Sequence, residues 1–557
     1  MKINNLESIV LVLSAAVFQC YVCDLMPFRN TSLPWDTRVD DLVGRLTLDE
    51  IMLQMSRGGG DPYGGPAPAI DRLGIGPYSW ATECLRGQVS AGEATSFPQA
   101  LGLAASFSPS LMYDVAHATA EEVRAKHVEF VKHGQYGDRT GLSCFSPFMN
   151  IMRHPLWGRN QEVYGEDPYM TGVIATSHVQ GLQGNHSRYL LTSSGCKVIA
   201  VHGGPDNIPV SRFSFDAWVT ERDLRLTYLP AHRACVRAGT YSFMCSFNSI
   251  NGIPACANDR ILTDILRNEW NFTGYVVSDL GAIELIITAH KYLKTPIDTV
   301  AACLKAGTNL DFSGVKKSVY DYIGFGTPII LILFNSGPVN ITMYDPNPQI
   351  SAILECFFPA QSTGEALYNI LTNKGAGANP AARLPFTWYR TADQIPVMTD
   401  YSMKERTYRY FTGNPLYPFG YGLSYTTFQY SNLTFMSQIK AGDPLTVQAQ
   451  VINTGQYDGE EVVQVYIKWL DTKEEMPQLQ LVWFDRFAVS KGASVNFQFV
   501  ISPESMAVWT DANGFVVEVG KMKLYVGGQQ PDQQRKVPSN VLEGEFQITG
   551  TRILGRF

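Results

Sequence analysis

The C-terminal third of this sequence lacks two residue types completely. All nine histidines lie at or before His290, and all ten cysteines lie at or before Cys356. Such a break in composition predicts that a separate module follows. A length of 557 residues also requires two or three domains.

The chain also lacks the signatures of several function classes. Its net charge of −7 argues against the basic surface that nucleic acids and anionic membranes require. No Gly-x-Ser-x-Gly elbow, Walker A loop or His-Glu-x-x-His motif occurs, and the cysteine spacing does not suggest zinc. Past the N-terminus, no apolar run is long enough to span a bilayer. We therefore expect no nucleic-acid partner, no membrane span and no phosphate, nucleotide or metal cofactor.

Residues 1–23 have the pattern of a secretory signal peptide. Lys2 precedes an apolar run at 9–18 that is too short for a membrane helix. In an oxidising compartment some cysteines pair, and Cys245 and Cys256, which bracket a short turn-like segment, are the first candidates. Five Asn-x-Ser/Thr sequons fit a secreted glycoprotein: Asn30, Asn185, Asn271, Asn340 and Asn432.

Residues 24–314 alternate amphipathic helices with short apolar strands, which predicts a parallel (β/α) barrel of the TIM type. The segment is close to the size of one such barrel, about 250 residues or more. Helices are predicted at 35–46, 48–55, 109–126, 170–183, 221–238 and 259–269. Strands are predicted at 142–148, 197–202, 241–247, 274–279 and 308–312.

Two further pieces complete a multidomain α/β fold class. Residues 315–425 contain predicted strands at 328–334 and 350–357 and a helix at 363–372, which gives few strands for a freestanding α/β sandwich. Residues 426–557 alternate apolar and polar residues with period two, which predicts a β-sandwich. Its strand runs are predicted at 445–451, 461–469, 494–501 and 514–525.

One strand end is a candidate catalytic position. Residues 275–278 have the character of a fully buried strand, and Asp279 follows directly. A carboxylate at the C-terminal end of a barrel strand lies where such barrels open their active sites, and it can serve as a nucleophile or general base. The alternative is that Asp279 caps the helix that begins at Ala282.

Motifs that follow one another along the chain carry a family resemblance. They include Tyr78-Ser-Trp-Ala-Thr-Glu83, Asn150-Ile-Met-Arg-His-Pro-Leu-Trp-Gly-Arg159, Glu162-Val-Tyr-Gly-Glu-Asp-Pro168, Gly203-Gly-Pro-Asp-Asn-Ile-Pro-Val-Ser-Arg212, Val277-Ser-Asp279 and Tyr417-Pro-Phe-Gly-Tyr-Gly-Leu-Ser-Tyr425. In these motifs the chain resembles glycoside hydrolase family 3, in particular its β-xylosidase branch and the animal-type members of that branch. The resemblance covers nearly the whole chain after the signal peptide.

The resemblance implies a (β/α) barrel, an α/β sandwich and a fibronectin type III-like domain. It also implies an exo-acting hydrolase that releases single sugars from oligo- or polysaccharides with retention of configuration. Asp279 matches the family nucleophile. Glu83, Arg159 and Lys197 match the residues that bind sugar hydroxyls, with Met244 on the wall of the site. A lysine and an arginine beside Asp279 are expected to keep it ionised.

Each of these residues also has a purely structural interpretation. Arg159 and Glu162 could form a surface ion pair of little energetic value. Glu83 could be a solvated loop acid, and Lys197 could be a solvated strand end. Met244 could be an ordinary core residue.

The sequence departs locally from the family pattern. The family's Lys-His-Phe triplet is here Lys197-Val198-Ile199, so the sugar-binding histidine is missing. His202 follows a few residues later, and we hypothesise that it compensates. The family's Leu-His-Gly is here Leu85-Arg86-Gly87, and its Ser-Tyr-Asn is Ser246-Phe247-Asn248, which lacks a hydroxyl.

A larger departure falls between Gly314 and Gly326. A block on the order of a hundred residues or more, judged against the usual size of a domain, is absent there. In the family that block carries the acid/base glutamate. Because no glutamate lies between Glu284 and Glu355, and neither Glu355 nor Glu365 sits in the matching motif, the acid/base stays unassigned. We predict an incomplete and marginally stable second domain.

Three interpretations remain open at this stage. The first is a secreted retaining β-glycosidase, most simply a β-xylosidase, impaired by the missing acid/base. The second is a non-catalytic sugar-binding pseudoenzyme of the same fold. The third is a splice or gene-model product with a compromised fold. The sugar released and the oligomeric state are not determined by the sequence.

Overall fold

The structure is a computed structural model of the chain. It describes residues 26–55, 66–89, 92–312, 329–335, 337–342, 345, 350–374, 378–533, 535 and 537–557. The predicted signal peptide at 1–23 and the junction at 315–326 lie outside the described residues.

Short parallel strands form the wall of the N-terminal barrel. In chain order, neighbouring strands pair in parallel: β1 (Ser143–Cys144), β2 (Ser193–Ile199), β3 (Ser242–Cys245) and β4 (Tyr275–Ser278). Isolated parallel bridges from Thr82 to Cys144 and from Val277 to Leu310 extend the wall at both edges. Parallel neighbours in chain order, joined through helices, are the connectivity of a (β/α) barrel, and the predicted fold class is confirmed.

Helices connect the strands and cover the wall. Two long ones begin at residues suited to helix starts: the Ser108 hydroxyl caps Pro109–Lys132, and the Asp167 carboxylate caps Pro168–Gln183. The remaining helices of the barrel are Trp35–Arg45, Leu48–Met55, Ala100–Ala104, Glu221–Asp223, Leu224–Tyr228, Pro230–Arg237, Arg260–Glu269, Ala282–Thr288 and Pro296–Ala306. Short 3-10 turns occur at Pro27–Arg29, Asp71–Leu73, Asn160–Glu162 and Ala255–Ala257, and a small sheet is formed by Asp216–Ala217, Ser249–Ile250 and Ile253–Pro254.

The second piece is small in the described residues. Strands β5 (Ile329–Leu333) and β6 (Ile350–Glu355) pair in parallel, and the helix Thr363–Thr372 follows them. That helix has no buried residue, and its Tyr368 side chain is 56% exposed. Short elements at Ala392–Gln394 and Thr407–Tyr410 lead toward the third domain. Incompleteness and marginal stability of this piece remain predictions.

The C-terminal domain is a β-sandwich, as predicted. One sheet contains Phe428–Phe435, Leu445–Asn453 and Ser494–Ile501, and the other contains Gln438–Lys440, Val541–Thr549, Gly520–Gly527, Gly459–Trp469 and Gln480–Val489. A smaller sheet, Val508–Thr510, Gly514–Val517 and Arg552–Gly555, follows the short turn Glu504–Met506. Buried and more exposed residues alternate along Leu445–Asn453 because one face of the strand lines the core.

A buried ion pair ties the sandwich to the segment before it. The Arg383 guanidinium lies 2.7 Å from a Glu461 carboxylate oxygen, and the two side chains are 3% and 1% exposed. The Tyr430 hydroxyl donates to the other Glu461 oxygen at 3.0 Å. Because the two charges are paired and hydrogen-bonded to each other, the free-energy cost of burying them is offset.

Several predicted elements end elsewhere in the structure. The 221–238 helix is broken into three segments, one of them π-helical, around Pro230. The 197–202 strand instead runs over Ser193–Ile199, so Lys197 lies within a strand rather than at its start. The 514–525 run is two strands belonging to different sheets, and the 308–312 strand is reduced to the bridge at Leu310.

Candidate active site

Three adjacent barrel strands bring the predicted residues into one row. Lys197 of β2 lies opposite Met244 of β3, and Met244 lies opposite Val277 of β4. Asp279 follows just after β4, and its backbone N–H donates to the carbonyl of Cys245 at 3.0 Å. The C-terminal ends of parallel strands meet at one edge, so Asp279 lies at the mouth of the barrel.

Asp279 does not cap the following helix. The N-cap position of Ala282–Thr288 is Gly281, and no side chain caps it. One Asp279 carboxylate oxygen instead accepts the backbone N–H of Leu280 at 2.8 Å. The half-buried carboxyl is thus held by its own turn, and the capping interpretation is wrong.

Lys197 and Glu83 form a close ion pair beside this carboxyl. The Lys197 ammonium donates to both Glu83 oxygens, at 3.0 and 2.8 Å. The Lys197 side chain is only 6% exposed, whereas the Glu83 side chain is 38% exposed. Lys197 is therefore not a solvated strand end, and Glu83 is not a free loop acid.

Arg159 and Glu162 form a second pair in which two parallel hydrogen bonds join the charges. The Nε and Nη2 atoms of Arg159 each donate to one Glu162 oxygen at 2.8 Å. The side chains are 17% and 20% exposed, and the guanidinium lies 4.4 Å from the ring centroid of Phe148. The predicted pair exists, but it is enclosed rather than superficial. Burial raises the pKa of Glu162, yet the charge and hydrogen bonds of Arg159 bring that pKa below its usual value.

The electrostatics of Asp279 differ in direction from the expectation. Burial raises the pKa of the Asp279 carboxyl above its usual value, and the charges of Arg159 and Lys197 oppose that rise without reversing it. The carboxylate of Glu83 adds to the rise. The two cations therefore limit the cost of ionising Asp279, which is a weaker role than the one predicted for them.

Three disulfides hold the chain next to these residues. Cys84, the neighbour of Glu83, is bonded to Cys144, and Cys196, the neighbour of Lys197, is bonded to Cys235. Cys245, the neighbour of Met244, is bonded to Cys256, which confirms the pair predicted from sequence. Each bridge fixes the backbone one residue away from a candidate site residue.

Met244 and His202 are both deeply buried. Met244 is 3% exposed and packs in a core cluster with Val277 and Phe312. His202 is fully buried, with its Nδ1 3.0 Å from the Asn248 side-chain oxygen. Burial lowers the pKa of His202 to about 3, so the ring is neutral. Its Nε2 atom has no hydrogen-bond partner among the residues the structure describes.

The structure adds Asp206, which sequence reasoning did not assign. One Asp206 oxygen accepts the backbone N–H of Gly158 at 3.1 Å. The other is buried, lies 3.9 Å from the Arg212 guanidinium, and has no hydrogen-bond partner in the described part of the chain. Burial raises the pKa of Asp206, and the charges of Arg159 and Arg212 oppose the rise. Its place in the motif from Gly203 to Arg212 was the available signal.

Neither Glu355 nor Glu365 takes the place of an acid/base in the part of the second piece that the structure describes. Glu365 is exposed on its helix. Burial raises the pKa of the Glu355 carboxyl to about 8. This carboxyl accepts the backbone N–H of Phe357 and contacts Asn335, neither of which belongs to the Asp279 cluster. The acid/base position remains unassigned.

The described residues contain neither a candidate metal site nor a candidate membrane-spanning helix. Within them, no group of three or more His, Cys, Asp or Glu side chains is arranged to hold a metal ion. Across the same stretches, no helix combines the length and apolarity needed to cross a membrane.

Sequence profiles of known families match most of the chain. The glycosyl hydrolase family 3 N-terminal domain matches residues 69–324, and the C-terminal domain of the same family matches 307–425. A fibronectin type III-like domain matches 461–530.

Named relatives are β-xylosidases. Beta-D-xylosidase 1 of Arabidopsis thaliana is 25% identical over 739 residues, covering 90% of this chain and 92% of that protein. Xylan 1,4-beta-xylosidase of Xylanibacter ruminicola is 37% identical over 308 residues, covering 54% of this chain and 34% of that protein. Since 739 aligned positions exceed the 557 residues of this chain, at least about 180 positions of the Arabidopsis protein have no counterpart here.

Solved structures agree on the fold. A GH3 exo-beta-xylosidase in complex with a xylobiose aziridine probe superposes with a TM-score of 0.82 at 20% identity, covering 96% of this chain and 94% of that one. A beta-glucosidase from Listeria innocua in complex with glucose superposes with a TM-score of 0.75 at 18% identity, covering 92% of this chain and 99% of that one.

Proposed function

The chain belongs to glycosyl hydrolase family 3, and on that premise we propose that it is a secreted, exo-acting, retaining β-glycosidase that hydrolyses β-D-xylosides. One observation carries the proposal. Asp279 lies at the mouth of the barrel, within electrostatic reach of Lys197 and Arg159. The names of the Arabidopsis and Xylanibacter relatives support xylose as the sugar.

In the proposed mechanism, Asp279 is the nucleophile. Its carboxylate attacks the anomeric carbon and displaces the glycosidic oxygen, which leaves as an anion and takes a proton from solvent. Water then attacks the anomeric carbon of the covalent sugar ester, loses a proton to solvent and releases the sugar with net retention. Arg159 and Lys197 oppose protonation of Asp279, which keeps more of it in the reactive form.

The same two ion pairs are proposed to bind the sugar. Each carboxylate of the pairs, Glu83 and Glu162, is held by a cation in a fixed orientation, so its remaining lone pairs can accept sugar hydroxyls. Lys197 engages Glu83 through its ammonium and can donate a further N–H to a hydroxyl. Charged hydrogen bonds of this kind are stronger than neutral ones.

Loss of the acid/base is proposed to impair the reaction selectively. General acid catalysis typically contributes about 10²–10⁴-fold, and it matters most when the leaving group is a poor one such as a sugar alkoxide. We propose that the absent positions fall between Gly314 and Gly326, in the region where the family carries its acid/base glutamate. We therefore expect activated aryl xylosides to be cleaved and xylobiose to be cleaved poorly.

The deciding experiment compares dinitrophenyl β-xyloside with xylobiose. Purified protein is expected to cleave the first, because a dinitrophenolate needs no proton, and Asp279→Ala abolishes that cleavage. The exposed Asp298→Ala on an outer helix serves as the matched control and retains it. Equal efficiency on both substrates would mean that an acid/base is present after all.

A non-catalytic sugar-binding protein is the second candidate. It is favoured because the acid/base stays unassigned in a chain that lacks roughly 180 positions of the Arabidopsis relative. In that case the chain binds xylo-oligosaccharides without cleaving either substrate. Binding measured by calorimetry, together with no release of dinitrophenol, identifies this outcome.

Secretion is part of the proposal. Three disulfides are typical of an oxidising compartment. The side chains of all five sequon asparagines, Asn30, Asn185, Asn271, Asn340 and Asn432, are exposed and thus open to glycosylation. Recovery of the protein from the culture medium of expressing eukaryotic cells, with a mass that falls on treatment with an N-glycan-removing enzyme, is the expected result.

A further inference from the structure

A second cleft lies away from the strand ends. It has a volume of about 590 Å³ and is formed between residues 387–418 and the C-terminal sandwich. None of its lining residues belongs to the Asp279 cluster. Its volume falls within the range of about 300–1,000 Å³ that is usual for small-molecule sites.

Two glutamine residues that line the cleft have amide oxygens that are free in the described part of the chain. The Gln478 amide donates through its N–H groups to the carbonyls of Tyr408 and Phe411, and the Gln530 amide donates to the carbonyl of Phe419. The amide oxygens of both residues accept no hydrogen bond from any residue described in the structure. With the N–H groups bound internally, these amides are left to act as acceptors toward a ligand.

A third glutamine repeats the arrangement in a more enclosed place. Gln533 is 7% exposed, and its amide donates to the Gln529 side-chain oxygen and to the Arg535 carbonyl. Its own side-chain oxygen is buried and has no partner within the described ranges. A buried, unsatisfied acceptor costs free energy unless a ligand or water donates to it.

Three cationic residues line the cleft: Arg535 is paired with the Asp345 carboxylate, and the other two supply the complementary donors. Arg390 and Lys468 line the same cleft, and neither side chain has a hydrogen bond or ion pair to another described residue. Asp532 is the one carboxylate among the lining residues that the structure describes. The cleft therefore offers free donors and free acceptors together.

This mixture selects the chemistry of the ligand. A cation would meet Arg390 and Lys468, and an anion would meet three amide oxygens and Asp532. A hydroxyl group both donates and accepts, so a neutral polyhydroxylated molecule satisfies both sets at once. Pro415 adds apolar surface to the lining, and the largely buried rings of Phe411 and Tyr525 reach it only at their edges.

We propose that this cleft is a second saccharide-binding site, specific for neutral sugars and separate from the catalytic barrel. It goes beyond the proposed hydrolase activity and does not depend on it. In a protein that also acts on a polysaccharide, such a site would hold a neighbouring stretch of the chain and raise the effective concentration of substrate.

The test uses calorimetry with xylohexaose on the Asp279→Ala chain, which cannot form the proposed covalent ester. Two sites per chain are expected. Adding Arg390→Ala and Lys468→Ala weakens one of them at least tenfold, and adding Lys197→Met instead weakens the other. Lys440→Ala, an exposed lysine on another strand of the sandwich, is the matched control and changes neither site.

The outcomes separate this proposal from the proposed function. A single site that Lys197→Met removes and the double variant leaves intact overturns the cleft proposal. Conversely, a site lost only in the double variant keeps the cleft and counts against sugar binding at the barrel. If glucuronate binds tightly and xylohexaose does not bind, the proposed preference for neutral sugars is wrong.

A second measurement covers the case in which the variants disturb folding. Hydrogen exchange on the Asp279→Ala chain is expected to slow at residues 411–415 and 525–533 when xylohexaose is added. No protection there at saturating xylohexaose contradicts the proposal. Arg390 and Lys468 make no internal side-chain bonds with described residues, so an unchanged melting temperature is expected for the double variant.

Discussion

Replacement of Lys197 by methionine tests the core of the candidate active site. The substitution keeps an unbranched side chain of similar length and replaces the charged ammonium end by an uncharged thioether. Lys197 makes two hydrogen bonds to Glu83 and opposes the raised pKa of Asp279. Both binding of the sugar and ionisation of the nucleophile should therefore change.

The magnitude follows from the contacts and exposures. A hydrogen bond from a charged group contributes about 1.5–3 kcal/mol, so losing one to a sugar hydroxyl lowers kcat/KM by roughly 10- to 100-fold. Breaking a fully buried ion pair costs about 3–5 kcal/mol of stability. Glu83 is 38% exposed and is rehydrated once Lys197 is gone, so we expect a loss nearer to about 1–2 kcal/mol.

The pH dependence gives an independent readout. Because the charge of Lys197 lowers the pKa of Asp279, its removal raises that pKa further. Asp279 must be ionised to attack, so the acidic limb of kcat/KM on dinitrophenyl xyloside moves to higher pH. Lys305→Met, on the exposed face of an outer helix, is the matched control and shifts nothing. A Lys197→Met enzyme with wild-type kcat/KM and an unmoved acidic limb would refute the reasoning.

Three further predictions concern stability and binding. Glu166→Gln should flatten the pH dependence of urea unfolding: burial raises the pKa of Glu166 to about 7, so its stabilising contribution is complete below the unfolded pKa and is lost as pH rises toward 7. A wild-type unfolding free energy that does not fall between pH 5 and 7 relative to this variant contradicts that sign. Replacing Cys84 and Cys144 together by alanine should lower the unfolding free energy by about 4 kcal/mol, since the bridge closes a long loop; a loss below about 1 kcal/mol in urea would show that the bridge is not formed. His202→Ala should weaken xylose binding several-fold in calorimetry, because its Nε2 has no protein partner in the described chain, and unchanged affinity would end the idea that it replaces the missing histidine.

The sequence predicted the barrel and the sandwich well because their signals are local. Alternation along Leu445–Asn453 and the buried run before Asp279 reflect burial on one face or both, and burial follows directly from residue type. The predicted strand boundaries were wrong where tertiary contacts, and not the local sequence, determine where a strand ends. The 514–525 run was predicted as one strand, but its two halves belong to different sheets, and no local pattern encodes that division.

Motifs predicted the members of the candidate site, but residue types alone did not predict its energetics. Motif matches identified Glu83, Arg159, Lys197 and Asp279, and the structure brings them into one cluster of opposing charges. The direction of the Asp279 pKa shift could not be read from residue types, because it depends on the balance between desolvation and two cations. Asp206 was missed because its interaction with Gly158 joins loops far apart in sequence.

The disulfides lie beside the proposed sugar-binding residues in the barrel, whereas the family carries its proton donor in the second domain. Each of the three bridges lies entirely within the barrel, and each fixes a residue adjacent to Glu83, Lys197 or Met244. The geometry of the proposed sugar-binding cluster therefore rests on the barrel and does not require a complete second domain. Under the proposed loss of residues from that domain, we expect acid assistance to be removed while the affinity for xylose stays intact. We therefore expect a low kcat on xylobiose, together with a KM for activated xylosides in the range of complete family members. A large rise in KM for the activated xylosides would mean that the second domain also shapes the sugar pocket.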